Sequence, residues 1–191
     1  TSIDHPMFLA SAEAEDNAFS KRFIWCPDPA YEDEHLVESQ FGQKGRYYAS
    51  YYECQPAINY GFAKISAPWQ SPVDAPECLE NRKMMRDIMD YWIDMGCSGF
   101  RVDMANFMIK DDENWVENKK MWQEFRAYFD EKHPDCVLIP EWSRPVHAIE
   151  AGFHMDMNLT GGSLFRYEET TDKFSYFRSD GKGGFARFAE D

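Results

Sequence analysis

The sequence contains no long hydrophobic run and few basic residues for its length. No apolar stretch approaches the roughly 18 residues that a membrane-spanning helix needs. Lys and Arg number 20 against 34 Asp and Glu, which gives a net charge of −14. Nucleic acids and anionic membranes select basic surfaces, so we expect neither as a partner. The 191 residues are enough for one domain with a sizeable core.

The five cysteines form no C-x-x-C pair, and their number is odd. This pattern implies no metal site and favours a reducing compartment. The sequence begins without Met, in a stretch typical of a loop that leaves an element outside the chain. The absence of a targeting segment therefore says nothing about localisation.

Residues 1–70 carry turn signals, mixed charge and aromatic clusters such as Tyr47-Tyr48, but few long periodic segments. This pattern predicts an irregular region with short strands rather than a helix bundle. We therefore place a domain boundary near residue 70 and assign residues 71–191 to a second region.

From Pro76 onward, helices and short apolar strands alternate. Pro76 and Glu77 are typical of a helix start and Gly96 of a helix end, so the spacing predicts a helix between them. A second helix is predicted from about Glu113 to Lys132, and a short one from Val146 to Ala151. The predicted strands cover 100–104, 137–142 and 153–157. Such alternation indicates βαβ units and a parallel sheet.

Both long helices carry an apolar stripe that is predicted to face the core. In the first helix the stripe contains Leu79, Met85, Ile88, Met89, Trp92 and Ile93. In the second helix it contains Trp115, Trp122, Phe125 and Phe129.

An acidic residue stands at the end of two of these strands. Apolar and charged residues alternate along Gly99–Asp103, so the side chains of Arg101 and Asp103 are expected on the same side. A neighbouring guanidinium group favours the ionised form of a carboxyl group, which suits Asp103 to act as a nucleophile. Glu141 ends an apolar run and precedes Trp142, and an apolar setting favours the protonated form of a carboxyl group.

The carboxyl ends of parallel strands meet at one edge of the sheet, so Asp103 and Glu141 are expected to lie close together. Two carboxyl groups that flank one bond can hydrolyse a glycoside. One attacks the anomeric carbon or activates water, and the other protonates the departing oxygen. The residues alone leave two further interpretations open, which are a structural salt-bridged pair and a barrel that binds a phosphate group.

Four segments resemble signatures of the α-amylase family of glycoside hydrolases. Gly99–Ala105 is similar to the fourth-strand signature of that family, and Ile139–Trp142 to its fifth-strand signature. Gln55–Tyr60 resembles the motif near the end of the inserted domain, and Thr1–Phe8 resembles the segment after the third-strand motif. The four segments occur in the order of the family and extend over nearly the whole chain.

The resemblance implies an α/β fold that forms part of a (β/α)8 TIM barrel, about strands four to six, with an irregular domain inserted after the third strand. It also implies a retaining reaction on α-linked glucosides or α-glucans, by hydrolysis or by transglycosylation. Asp103 would be the nucleophile, and Glu141 the general acid and then the general base. Arg101 would orient Asp103 and keep it ionised.

The resemblance further assigns Asn106 and Phe107 to the leaving-group side of the substrate, and Trp142 to a wall of the sugar site. Many α-amylases have Lys-His at the positions of Asn106 and Phe107, where the pair binds substrate and gives a backbone carbonyl to calcium. The replacement resembles members that act on short oligosaccharides, such as α-glucosidases and trehalose-forming enzymes. We therefore predict no cofactor and no metal ligand, and calcium is not supported by this sequence.

The resemblance also predicts parts of the site outside this chain. The third-strand motif would end before Thr1, and a third essential Asp, at the end of the seventh strand, would follow Asp191. We expect a central fragment, inactive alone, whose barrel is completed by the missing parts of the parent chain. The alternative is a non-catalytic sugar-binding or transporter-associated relative. The presence of Asp103 and Glu141 together argues against it, because degenerate members usually lose at least one of them.

Overall fold

The computed structural model describes residues 1–13, 17–41 and 45–157. None of the helices in these ranges is long and apolar enough to cross a membrane. In chain order the elements are α1 (Pro6–Glu13), β1 (Trp25–Cys26), β2 (Leu36–Glu38), β3 (Arg46–Tyr48), α2 (Pro76–Asp94), β4 (Gly99–Val102), α3 (Val116–Lys132), β5 (Val137–Pro140) and α4 (Pro145–Glu150). Two short 3₁₀ turns, Ala105–Phe107 and Glu113–Trp115, lie between β4 and α3.

The contacts within the chain divide it into two compact units. Unit 1 comprises Thr1–Cys97 and Phe107–Asn118. Unit 2 comprises Ser98–Asn106 and Lys119–Asp191, and is described as far as residue 157. The domain boundary near residue 70 stays a prediction.

Unit 1 contains a three-stranded antiparallel sheet in the order β1–β3–β2. Phe8 of α1 is completely buried beside this sheet. Its ring stacks on Trp25 at a centroid distance of 5.3 Å and meets Tyr47 edge to face at 5.1 Å. Aromatic rings bury a large apolar area at defined geometry, so this cluster stabilises strands of only two or three residues.

Helix α2 forms where the sequence predicts it, but it buries a different face. Of the predicted apolar stripe only Met89 is buried among the described residues, and Trp92 is 50% exposed. The buried face includes Asn81, whose side-chain amide donates to the backbone carbonyls of Arg22 at 3.1 Å and Asn59 at 2.7 Å. Hydrogen bonds to loop carbonyls therefore attach α2 to the rest of unit 1, and apolar periodicity does not reveal such contacts.

Unit 2 contains β4 and β5 as a parallel pair, in which Gly99 pairs with Val137 and Arg101 with Ile139. A Cβ atom at Gly99 would lie 2.2 Å from the carbonyl oxygen of Val137, so only glycine allows this approach of the two strands. Helix α3 connects the strands, as predicted for a βαβ unit. The buried aromatic residues of α3 are Trp122, Phe125 and Phe129.

Two predictions about Trp115 and the end of β4 are wrong. Trp115 belongs to the 3₁₀ turn before α3 and has a φ of 56°, so it is not part of the helical stripe. The strand β4 ends at Val102 rather than at Met104. The reason is the φ of 44° at Met104, because a left-handed residue cannot continue a strand.

The strand predicted at 153–157 does not form as a regular strand. The backbone N–H of His154 donates to Leu138 O at 3.1 Å, and the N–H of Met157 donates to Pro140 O at 3.2 Å. The donors are three residues apart whereas the acceptors are two apart, so the segment follows β5 without a regular ladder.

Candidate active site

Arg101 lies between the two strand-end acids of unit 2. Its Nη1 donates to Oδ1 of Asp103, and its Nη2 donates to Oε2 of Glu141 at 2.5 Å. The backbone N–H of Glu141 donates to Val102 O at 2.8 Å, which continues the pairing of β5 with β4. The parallel register thus brings together the three residues predicted to be catalytic.

The side chains of Glu141 and Arg101 both favour the ionised form of Asp103. The hydrogen bond from Glu141, together with the Arg101 guanidinium, holds the pKa of Asp103 below its ordinary value of 3.8, although partial burial opposes the shift. The arrangement therefore favours an ionised Asp103.

The carboxyl pair is open to solvent, since the side chain of Asp103 is 65% exposed and that of Glu141 is 24% exposed. A left-handed residue follows each acid closely. Met104 has a φ of 44° and Ser143 a φ of 58°. Such backbone conformations are uncommon outside glycine and cluster at functional sites.

The three residues predicted to bind substrate have different surroundings. Asn106 is buried, and Phe107 is 51% exposed. Trp142 is buried, and its ring meets Phe153 edge to face at a centroid distance of 6.2 Å. A sugar contact by any of the three stays a prediction.

Lys110, a buried residue of unit 1, was not identified from the sequence. Its Nζ donates to Phe107 O at 2.5 Å and lies 5.1 Å from the centroid of the Tyr48 ring. A buried ammonium group needs such partners, and here a carbonyl oxygen and an aromatic face supply them. The available signal was a single lysine directly after the apolar run Phe107–Ile109.

The residues around Phe107 do not fit a calcium ion. The described part of the chain contains no group of three or more His, Cys, Asp or Glu side chains placed to hold a metal ion. The Phe107 carbonyl, one of the two backbone carbonyls of the Asn106-Phe107 pair, already accepts a hydrogen bond from the Lys110 ammonium group. A second cation at this oxygen would be repelled by that charge.

We expect Lys110→Met to remove a pH-dependent part of the free energy of unfolding. Burial lowers the pKa of Lys110 from 10.5 to about 8, and Asp33 opposes the shift. Between these values the unfolded state binds more protons than the folded state, so this residue makes the protein more stable as the pH rises. The gain is at most about 3 kcal/mol.

Urea unfolding of the whole protein and the variant, between pH 7 and pH 10.5, measures this effect. The difference between the two proteins is the relevant quantity, because burial also raises the pKa of Tyr48 and the pKa of Cys78, and both make the folded state less stable at high pH. The control is Lys83→Met, which removes an exposed lysine paired with Asp87 at 2.6 Å. Parallel pH curves for wild type and Lys110→Met would contradict the prediction.

Comparison with known proteins gives a family match over nearly the whole chain. The family model for Alpha-amylase, described as the alpha amylase catalytic domain, matches residues 2–182. The Alpha-amylase 3 of Dictyoglomus thermophilum is 27% identical over 141 residues, which cover 74% of this chain and 24% of that protein. The trehalose synthase of Pimelobacter sp. is 27% identical over 165 residues, which cover 78% of this chain and 26% of that protein.

The chain thus spans about a quarter of the length of these curated relatives. Among solved structures, the trehalulose synthase MutB from Pseudomonas mesoacidophila MX-45 superposes with a TM-score of 0.63 at 20% identity. The superposition covers 87% of this chain and 33% of that one. The similarity shows the fold, which is part of a (β/α)8 barrel, as predicted.

Proposed function

Because the chain belongs to the alpha-amylase family of catalytic domains, we propose that it supplies Asp103 and Glu141 to a retaining enzyme acting on α-linked glucosides or α-glucans. The observation that carries this proposal is the bridging of both strand-end acids by Arg101. Relatives named alpha-amylase, trehalose synthase and oligo-1,6-glucosidase support α-linked glucose as the substrate class. The activity is proposed for the whole protein, because this chain spans only part of its relatives.

In the first step Asp103 attacks the anomeric carbon and forms a glycosyl ester. Glu141 gives its proton to the departing glycosidic oxygen as the bond to the leaving sugar breaks. The Arg101 guanidinium group, which contacts both side chains, supports these roles because it favours the ionised form of Asp103.

In the second step the ionised Glu141 removes a proton from an incoming hydroxyl group. The resulting oxygen nucleophile attacks the anomeric carbon and releases Asp103 as a carboxylate. A water molecule gives hydrolysis, and a sugar hydroxyl gives transglycosylation. Two successive inversions retain the α configuration in both cases.

Arg101 keeps one negative partner throughout this sequence. Before the first step the guanidinium group faces the ionised Asp103, which favours the nucleophilic form. After the ester forms, Asp103 is neutral and Glu141 is ionised, and Arg101 already contacts that side chain at 2.5 Å. The cation therefore stabilises both states without moving between distant sites.

We also propose that β4 and β5 are the fourth and fifth strands of the barrel, and that residues 1–70 form the domain inserted after the third strand. The parallel register of β4 with β5 supports the first assignment. The short antiparallel sheet of unit 1 supports the second. Residues 71–191 then belong to the barrel.

The remaining proposal concerns substrate contacts. Asn106 and Phe107 follow the proposed nucleophile by three and four residues, and we assign them to the leaving-group side. Trp142 follows the proposed acid directly, and we assign it to the wall of the sugar site. These assignments include no metal or other cofactor.

Incubation of the whole protein with maltose, isomaltose, sucrose, trehalose and starch tests the proposed function. We expect turnover of at least one of these, with the first-formed product in the α configuration by NMR. Binding without turnover would favour the non-catalytic sugar-binding alternative. A β-configured first product would contradict the retaining mechanism.

A further inference from the structure

The carboxylate of Asp156 accepts hydrogen bonds from three consecutive backbone N–H groups. Its Oδ1 accepts from Trp142 at 3.1 Å and from Ser143 at 3.3 Å, and its Oδ2 accepts from Arg144 at 2.6 Å. These three residues follow Glu141 directly in the chain. One side chain therefore holds the whole turn that begins next to the proposed general acid.

The turn needs such a partner because its backbone conformation is unfavourable. Ser143 has a φ of 58°, which non-glycine residues rarely adopt. A carboxylate that accepts several N–H groups binds them more strongly than a neutral acceptor does, because the bonds are charge-assisted. Asp156 thus selects a conformation that the sequence of the turn does not favour by itself.

Asp156 is itself fixed to the sheet. The N–H groups of its neighbours His154 and Met157 donate to the β5 carbonyls of Leu138 and Pro140. The hydroxyl group of Ser143 donates back to Met157 O at 3.3 Å. The carboxylate therefore fixes the turn after β5 at a defined position relative to this strand.

Glu141 is consequently held from both sides. Its own N–H donates to Val102 O of β4 at 2.8 Å, and the next three N–H groups are bound by Asp156. A general acid must reach the departing oxygen within hydrogen-bond distance, and an error of about 1 Å costs about 100-fold in rate.

We infer that Asp156 is a positioning residue for proton donation by Glu141. The inference rests on the proposed function. The competing explanation is that Asp156 only stabilises the turn before α4. The two explanations differ in how the decrease in rate on removal of the Asp156 carboxylate depends on the leaving group. Only in the first does the removal weaken proton donation in particular.

The test uses Asp156→Asn in the whole protein with a series of aryl α-glucosides of graded leaving-group acidity. The variant keeps the shape of the side chain but replaces one acceptor oxygen by an NH₂ donor, which cannot bind an N–H of the turn. We expect kcat/KM to fall about 10- to 100-fold for the least acidic phenols. For the most acidic phenol, which needs no proton, the loss should stay within about threefold.

Asp156→Glu keeps the charge and moves the carboxylate, and it gives a second measurement if the Asn variant fails to fold. We expect it to restore part of the loss at the least acidic phenols. Asp87→Asn, which breaks an exposed pair with Lys83 on α2, is the control for removal of a surface carboxylate and should follow the wild-type dependence.

If kcat/KM of Asp156→Asn falls equally for every phenol of the series, the inference is overturned and only a structural role remains. Where the Asn variant does not fold, the same result with Asp156→Glu has the same meaning. The proposed function is tested separately by wild type and by Glu141→Gln in the same series. If wild type turns over the series and only Glu141→Gln makes kcat/KM depend more steeply on the acidity of the phenol, the positioning role alone has failed. If wild type has no activity, the proposed function itself has failed, and with it the inference.

Discussion

Asp103→Asn in the whole protein is expected to abolish turnover of α-glucosides while leaving sugar binding in place. An amide carries no negative charge and cannot form the glycosyl ester on which the proposed mechanism depends. The reduction in kcat should be on the order of 10⁴-fold or more, the scale seen when a covalent nucleophile is removed from an enzyme. The amide keeps the volume of the carboxylate, so the folded state should persist.

Steady-state kinetics and calorimetric titration with an oligosaccharide substrate separate turnover from binding in this variant. Asp87→Asn is again a matched control, because Asp87 forms an exposed ion pair with Lys83 at 2.6 Å on α2. It should retain kcat within about twofold, since substitutions at exposed ion pairs have small effects. Near-normal turnover by Asp103→Asn with an intact fold would refute the assignment of the nucleophile.

The pairing of Arg101 with Asp103 could be predicted because it depends only on alternation along one strand. The contact of Arg101 with Glu141 could not, because it depends on the register of β4 with β5. That register is set by the close approach of the backbone at Gly99 to Val137, across 38 residues of sequence. The sequence indicates that both acids lie at strand ends, but not that one guanidinium group contacts both.

The helices were predictable where their ends are marked locally. Pro76 begins α2 and Gly96 follows it, and both signals are read without knowledge of the tertiary structure. The buried face of α2 was not predictable, because it includes Asn81, whose side chain donates to the carbonyls of Arg22 and Asn59. The spacing of apolar residues does not identify a buried amide side chain.

The segment around Asp156 illustrates the same limit at the candidate site. Phe153, Met155 and Met157 alternate with His154 and Asp156, and this alternation predicts a strand. In the structure Asp156 binds the turn after β5 instead of continuing a ladder. Lys110 directly follows an apolar run and is buried, with its ammonium group bound to the Phe107 carbonyl. In both cases the contacts of one charged residue depend on the tertiary structure, so the local sequence pattern does not predict them.

Glu141→Gln is expected to slow the turnover of a substrate more strongly the more its leaving group needs a proton. Glutamine cannot protonate the departing oxygen, so kcat/KM for an α-linked disaccharide should fall about 10²- to 10⁴-fold. In an aryl α-glucoside a strongly acidic phenol departs as the phenolate without that proton. The rate of the glycosylation step should therefore be nearly unchanged for this substrate. The second step still lacks its base, so the glycosyl ester should accumulate and phenol should appear in a burst.

Added azide provides the decisive check on the second step. Azide is already an anion and needs no base, so it should accelerate turnover of the aryl glucoside by Glu141→Gln and give an α-glucosyl azide. Glu150→Gln is the matched control, because Glu150 accepts a hydrogen bond from Lys119 at 2.6 Å in the same unit and lies on the surface. It should show neither a burst nor an effect of azide. If Glu141→Gln slows both kinds of substrate equally and azide has no effect, Glu141 does not transfer the proton to the departing oxygen.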